Sequence, residues 1–265
     1  MDARKYLERI GIGEIPQPTA QSLARLQAAH LMHVPYENID ILCGVPIVLE
    51  KEKLYEKIVL RRRGGYCFEL NELFGHLLRA LGYGVTDLFG RFLKGEEGIP
   101  MRRHHVLLVE APGESERFLC DVGVGSGSPT WPVRLVVGEE QQQEDGGLYR
   151  FAQDELLGYV LEERRHGQWG PIYSFTLEKQ LPVDFVAASF YCEKSPQSIF
   201  NKEEMISLRR PGGGRITLDG SAFRVFSAEG VREEIVEDPA QKRRRIAEWF
   251  GIVYDEGKPE AGASV

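Results

Sequence analysis

The residues best suited to covalent chemistry surround Cys67, in the stretch RRRGGYCFELNELF (residues 61–74). Gly64 and Gly65 precede the cysteine and permit a tight turn or a close approach of another segment. A helix is predicted to begin at the cysteine, and the unpaired N–H groups of a helix N-terminus favour a thiolate. We therefore predict that Cys67 is a nucleophile with a lowered thiol pKa, an effect that the arginines at 61–63 reinforce. The alternative is a buried structural cysteine, a common use of free cysteines.

A nucleophilic cysteine needs a base and a group that orients the base, and one predicted hairpin supplies both. His104 and His105 open the run HHVLLVE, and Asp121 lies late in the returning run RFLCDVGV. Antiparallel pairing places the histidines and the aspartate at the same end of the ladder. Successive strand residues face opposite sides, so only one histidine can face the thiol, and periodicity leaves the choice open. Asp121 could instead cap the glycine loop that follows it.

The elements that carry these residues come in the order helices, strands and a mixed segment. The helix after Cys67 has one apolar face, made of Leu70, Leu73, Phe74, Leu77, Leu78 and Leu81, and Gly82 is its predicted stop. Two earlier helices are predicted, in PTAQSLARLQAAH and LEKEKLYEKIVLRR. From Val85 to Leu181, short β-type runs predict an antiparallel sheet or barrel. A hairpin with its turn at Asp219-Gly220 and a helix ending at Gly251 close the chain. This order predicts an α+β fold.

The composition narrows the function classes. The chain has 265 residues, a net charge of −7 and 42% hydrophobic residues, a balance that disfavours nucleic-acid binding. We find no signal peptide, no membrane span and no phosphate-binding glycine motif, and we predict a cytoplasmic protein with free thiols. No acidic or cysteine cluster accompanies the histidine pair, so we predict no metal site.

Six motifs together resemble the arylamine N-acetyltransferase family. RGGYCFELN is close to the signature around that family's nucleophilic cysteine, RRHHVLLV resembles its histidine strand, and CDVGVGS resembles its aspartate segment. HVPYENID, SPQSIF and EWFGI fit other segments of the family. The resemblance covers nearly the whole chain in order.

The resemblance implies a three-part fold with a core like that of cysteine proteases and transglutaminases. Its parts are a helical bundle carrying the cysteine (1–84), an antiparallel β-barrel carrying the histidine and the aspartate (85–190), and an α/β lid (191–265). It also implies a catalytic triad, which carries over as Cys67, His104 and Asp121. His105 is the alternative base.

The implied reaction is ping-pong transfer of acetyl from acetyl-CoA, through a cysteine thioester, to an arylamine, arylhydrazine or N-hydroxyarylamine. We predict that coenzyme A approaches the loop Val124, Gly125, Ser126, Gly127 and Ser128, and that Tyr36, Phe68 and Val124 line the acceptor pocket. Val124 stands where the family often has an aromatic residue, which bears on the choice of amine. The predicted partners are coenzyme A and small aromatic amines, with no nucleic acid or membrane partner, and the predicted state is a monomer or weak homo-oligomer.

Three alternatives stay open at this stage. A macrolactam-forming amide synthase of the same fold would use the same triad on a different acyl donor. A Cys-His-Asp thiol hydrolase would use water as the acceptor. A non-enzymatic binding module would leave Cys67 unreactive.

Overall fold

The structure is a computed structural model that describes residues 1–254. Within this range the α-helices are α1 (Ala3–Arg9), α2 (Ala20–His33), α3 (Ile39–Leu42), α4 (Lys51–Tyr55), α5 (Cys67–Ala80), α6 (Asp184–Lys194) and α7 (Pro239–Phe250). The strands are β1 (Gly84–Phe92), β2 (His104–Glu110), β3 (Arg117–Cys120), β4 (Val133–Arg134), β5 (Gln141–Gln142), β6 (Leu148–Asp154), β7 (Gly158–Arg165), β8 (Gln168–Phe175), β9 (Met205–Arg209), β10 (Arg215–Asp219), β11 (Ala222–Ser227) and β12 (Gly230–Ile235). A π-helical turn, Glu56–Leu60, continues α4.

Eight antiparallel strands form a nearly closed, barrel-like sheet in the order β4-β3-β2-β1-β8-β7-β6-β5. The two edge strands, β4 and β5, are joined by the side chain of Gln141 instead of by backbone hydrogen bonds. The amide oxygen of Gln141 accepts from the backbone N–H of Arg134, and its amide N–H donates to the carbonyl oxygen of Arg134, each at 2.8 Å. The smaller sheet is the meander β12-β11-β10-β9. It packs on α7 through Ile246 and Phe250. The α+β architecture predicted from the order of elements is confirmed.

Strand β2 separates two hydrophobic cores. Leu107 and Val109 pack with helices α1, α2 and α5, whereas Val106 and Leu108 pack inside the barrel. This alternation follows from the opposite directions of successive side chains in a strand. It also determines the surroundings of the two histidines at the start of β2.

The apolar face predicted for the helix after Cys67 is confirmed, since all six of its residues lie in the bundle core.

Three predicted β-runs differ from the observed strands. The run RFLCDVGV pairs only as far as Cys120, because side chains of α2 and α5 take the next two backbone N–H groups. The run PVRLVVG forms the two-residue strand β4 and one isolated parallel bridge from Val137 to Phe151, and YSFTLEKQ begins as a strand earlier, at Gln168. The domain boundaries at 84/85 and 190/191 stay predictions. Among the described residues, no helix has the length and apolar character needed to cross a membrane.

Candidate active site

Cys67 is the first residue of α5, as the sequence predicted, and its side chain is buried. Its Sγ lies 3.9 Å from the carbonyl oxygen of Arg103, the residue before β2. The head of the helix and the start of the strand therefore meet at the thiol.

The prediction that the helix N-terminus and the neighbouring arginines lower the pKa of the Cys67 thiol was wrong. Burial raises the pKa of the Cys67 thiol well above its usual value, and the nearby Cys192 adds to that rise, which outweighs the contribution of backbone N–H groups. The arginines of the run do not compensate, because Arg61 and Arg62 are exposed and Arg63 belongs to a buried ion-pair network. A thiolate at Cys67 therefore needs a positively charged partner close to the sulfur.

The buried network fixes the turn that precedes the cysteine. One Nη atom of Arg63 lies 2.8 Å from both Glu37 and Asp40. Lys57 Nζ lies 2.8 Å from Asp40 and 2.7 Å from Glu69, which is on α5. Each charge thus has opposite charges within hydrogen-bond distance, which offsets the cost of burying it. The network joins the segment after α2 to the first turn of α5.

Gly64 permits the close approach that the sequence indicated. A Cβ at this position would lie 1.9 Å from the carbonyl oxygen of Pro35, a backbone atom. Beside it, Gly65 accepts a backbone hydrogen bond from Glu37 at 2.9 Å. The glycine pair therefore lets residues 35–37 pass directly against the turn that precedes Cys67.

We expect Gly64→Ala to lower the free energy of unfolding by at least about 1–3 kcal/mol, since an overpacked site forces the backbone to shift. Gly13→Ala is the matched control, because no atom lies within 4 Å of a Cβ placed there. Urea unfolding of both variants measures the difference. Equal midpoints for the two variants would contradict the packing argument.

The structure brings His104, rather than His105, to Asp121. His104 Nε2 lies 2.7 Å from Asp121 Oδ2, and both side chains are buried. The imidazole also packs on Tyr173 inside the barrel, with the ring centres 5.0 Å apart. His104 therefore shares the side of β2 occupied by Val106, as alternation along the strand requires.

His105 faces the helices. Its Nε2 lies 3.1 Å from Asp87 on β1, and its ring stacks on Phe185 at 4.0 Å. Glu72, Asp87 and His105 place possible ligand atoms within 4.8 Å of one another, but Arg79 already pairs with Asp87. This cluster joins β1, β2 and α5 on the far side of β2 from the His104–Asp121 pair.

Two residues that the sequence analysis missed hold the Asp121 segment. Asn71 donates to Asp121 Oδ1 at 2.8 Å and accepts from the backbone N–H of Val122 at 2.9 Å. Gln27 accepts from the backbone N–H of Asp121 at 3.2 Å. Asn71 could have been found from the sequence, because it lies one helical turn after Cys67 on the same face of α5. No sequence pattern pointed to Gln27, because it is on helix α2, far from Asp121 in the chain.

These contacts determine the charge state of Asp121. Burial alone would raise the pKa of the carboxyl group, but the charge and hydrogen bond of His104, with hydrogen bonds from Asn71 and Gly123, lower it below its usual range. The carboxylate is therefore ionised at neutral pH, in contact with the His104 imidazole.

One cleft contains both the thiol and the imidazole. Its cavity volume is about 170 Å³, and Cys67, His104 and Gly123 lie on its wall. Its charged side chains are Glu96 and Arg103, and the rest of the lining is aromatic or aliphatic: Tyr36, Phe92, Val124, Ile199, Phe200 and Met205. Residues from the bundle, the barrel and the smaller sheet thus meet around the reactive groups.

The predicted binding residues differ in their relation to this cleft. Tyr36 and Val124 lie on its wall. Phe68 does not, because it is fully buried and packs against Tyr66, with the ring centres 5.6 Å apart. Phe68 therefore lies outside this cleft, and its place in the acceptor pocket stays a prediction.

The loop predicted for coenzyme A forms a short 3-10 turn over Gly125–Gly127. The hydroxyl of the buried Ser128 accepts from the backbone N–H of Val124 at 3.1 Å. Arg209 donates to the carbonyl oxygens of Ser126 and Ser128. The loop is therefore held from within, and of its five residues only Val124 lines the cleft.

The chain is similar to acetyltransferases over nearly its whole length. A profile of the N-acetyltransferase family matches residues 19–258. The arylamine N-acetyltransferase of Mycolicibacterium smegmatis is 39% identical over 258 residues, covering 95% of this chain and 92% of the relative. A Salmonella typhimurium protein named arylamine N-acetyltransferase / N-hydroxyarylamine O-acetyltransferase is 35% identical over 255 residues, covering 96% of this chain and 89% of the relative.

A solved structure shows the same fold. The arylamine N-acetyltransferase of Mycobacterium marinum, in complex with CoA, superposes with a TM-score of 0.87 at 35% identity, covering 95% of this chain and 93% of that chain. The match spans the cysteine helix, the barrel and the smaller sheet. The chain is therefore an acyltransferase that belongs to the arylamine N-acetyltransferase family.

Proposed function

We propose that this protein transfers an acetyl group from acetyl-CoA to an arylamine, an arylhydrazine or an N-hydroxyarylamine through a thioester on Cys67. The observation that carries the proposal is the 2.7 Å contact between His104 and Asp121 at the wall of the cleft that also contains Cys67. The Mycobacterium marinum relative was solved with CoA, which supports the donor. The names of the relatives support arylamines and N-hydroxyarylamines as acceptors.

In the first half-reaction the Cys67 thiol gives its proton to His104, and the sulfur attacks the thioester carbonyl of acetyl-CoA. Because Nε2 of His104 is engaged by Asp121, Nδ1 is the ring nitrogen that accepts this proton. The resulting imidazolium supplies the partner charge that a buried thiolate needs. The bond between the acetyl carbon and the coenzyme A sulfur breaks, and that sulfur leaves with the proton from His104.

In the second half-reaction the amine nitrogen attacks the acetyl group on Cys67. His104 takes the proton that the nitrogen loses and returns it to the Cys67 sulfur as the thioester breaks. Asp121 stays ionised throughout and keeps the ring oriented. The apolar lining around the thiol suits an aromatic acceptor and limits the access of water, which favours amine transfer over hydrolysis.

The test is intact mass spectrometry of the protein mixed with acetyl-CoA. We expect a gain of one acetyl group on Cys67, lost when an aniline-type acceptor is added, with one acetylated amine formed per acetyl group lost. Loss of the acetyl group to water at the same rate, with or without the amine, would favour the thiol hydrolase. Absence of any acetyl-enzyme would contradict the proposal.

A further inference from the structure

An ion pair stands out in the wall of the cleft. Arg103 and Glu96 lie 2.5 Å apart in a cavity whose other lining side chains, apart from Cys67, His104 and Tyr36, are apolar. Arg103 is held close to the reacting groups, since its backbone N–H donates to Gly90 at 3.1 Å and its carbonyl contacts the Cys67 thiol. The pair is thus part of the site and not a surface contact elsewhere.

The guanidinium of Arg103 has donors to offer to a ligand. It carries five N–H donors. Within residues 1–254, Glu96 provides the one side-chain or backbone acceptor within hydrogen-bond distance of that guanidinium. The Glu96 side chain is one-third exposed and lies on the loop between β1 and β2. An ion pair with one partner this exposed contributes little to stability, so a ligand can replace Glu96 at low cost.

We propose that Arg103 is a specificity-determining residue that binds the carboxylate of an anionic acceptor, such as an aminobenzoate, in exchange for Glu96. A guanidinium can form a bidentate pair of hydrogen bonds with a carboxylate, and the apolar surroundings strengthen this contact. The few polar groups in an apolar pocket commonly select the ligand. The inference rests on the proposed arylamine acetylation and names a class of acceptor for it.

The position of Arg103 favours the acceptor over the phosphates of coenzyme A. The phosphates lie at the far end of the pantetheine arm from the thioester. An aminobenzoate carries its amine and its carboxylate on a single ring, so both ends fit within one small cavity. Arg103 lines the same cavity of about 170 Å³ as Cys67 and directly precedes His104 in the chain.

The test compares kcat/KM for 4-aminobenzoate with that for its methyl ester, which has a similar ring and amine but no charge. The wild type should prefer the acid, and Arg103→Met should lower the acid-to-ester ratio by about ten- to hundredfold, with most of the change in KM. Glu96→Gln, which removes the competing carboxylate, should raise the ratio by about two- to fivefold. Arg102→Met is the matched control, because Arg102 pairs with Glu178 outside the cleft, and it should leave the ratio unchanged.

A second comparison tests whether Arg103 binds the carboxylate of the acceptor or the phosphates of coenzyme A. The donors are acetyl-CoA and S-acetyl-N-acetylcysteamine, which lacks phosphates, and their ratio of kcat/KM should be the same in the wild type and in Arg103→Met. A change in this donor ratio with a constant acid-to-ester ratio would overturn the proposal in favour of phosphate binding. An unchanged acid-to-ester ratio in Arg103→Met would also overturn it. If neither acceptor is acetylated and no acetyl-enzyme forms, the failure lies with the proposed function instead.

Discussion

Cys67→Ser is expected to lower kcat/KM for acetyl transfer by about 10⁴-fold or more and to prevent formation of the acetyl-enzyme. Serine is nearly the same size, so the packing at the head of α5 should persist. Its hydroxyl holds its proton far more tightly than a thiol does, and the imidazole cannot remove it to the same extent. Steady-state kinetics with acetyl-CoA and an arylamine, together with intact mass, measures the loss.

Cys43→Ser is the matched control for this substitution. Cys43 is half-buried, follows α3 and does not line the cleft, so its variant should retain activity within about twofold, as expected of a side chain away from the reacting groups. Circular dichroism should show the same fold for both variants. A Cys67→Ser enzyme that keeps most of its activity, or that still acquires the acetyl group, would eliminate the thioester route.

Asp121→Asn is expected to lower kcat by about 10³- to 10⁴-fold while binding of the donor changes little. An amide has nearly the same shape as the carboxylate but carries no charge to stabilise the imidazolium of His104. It also presents an NH₂ group where three donors, from His104, Asn71 and Gly123, now converge on the carboxylate. Single-turnover acetylation of Cys67 measures the chemical step directly.

The protein contains its own control for this variant, because a second buried histidine–aspartate pair lies on the other face of β2. Asp87→Asn removes the charge next to His105 in the same way that Asp121→Asn removes the charge next to His104. We expect Asp87→Asn to lower stability and to change kcat by less than about tenfold. Equal losses of kcat in the two variants would mean that Asp121 acts on the fold and not on the imidazole.

Acid unfolding gives the Asp121 variant a second readout. The pKa of Asp121 in the folded protein lies below its usual range, so its interactions stabilise the fold fully above the unfolded-state pKa of roughly 3.9 and lose that effect as the pH falls through the folded-state pKa. Asparagine does not titrate. The stability of Asp121→Asn should therefore fall less steeply with acid below about pH 4 than that of the wild type.

Local features of the sequence were enough to predict the position of the nucleophile. The glycine pair and the helical spacing from Leu70 to Leu81 lie within 18 residues of one another, and they place Cys67 at the start of a helix without reference to the rest of the chain. The hairpin was also predictable, because a short turn forces neighbouring strands to pair. Together with the resembling motifs, these signals were enough to name the family.

Longer-range contacts decided the remaining features of the site. The alternation along β2 leaves two options, and His104 faces Asp121 only because the bundle covers one side of the strand and the barrel encloses the other. The raised pKa of Cys67 comes from burial by several elements, which a local pattern of charges does not reveal. Gln27 reaches Asp121 across 94 positions of the chain.

The sequence by itself determined which residue types could react, where the cysteine helix begins and which strands carry the histidines and the aspartate, because these follow from short-range spacing and backbone preference. Only the tertiary structure decided that Arg63 is engaged in a buried network and that Phe68 lies outside the cleft. It also decided that Arg103 stands beside the thiol with Glu96 as its partner. Burial and charge pairing depend on which distant segments meet, and that is a property of the assembled fold.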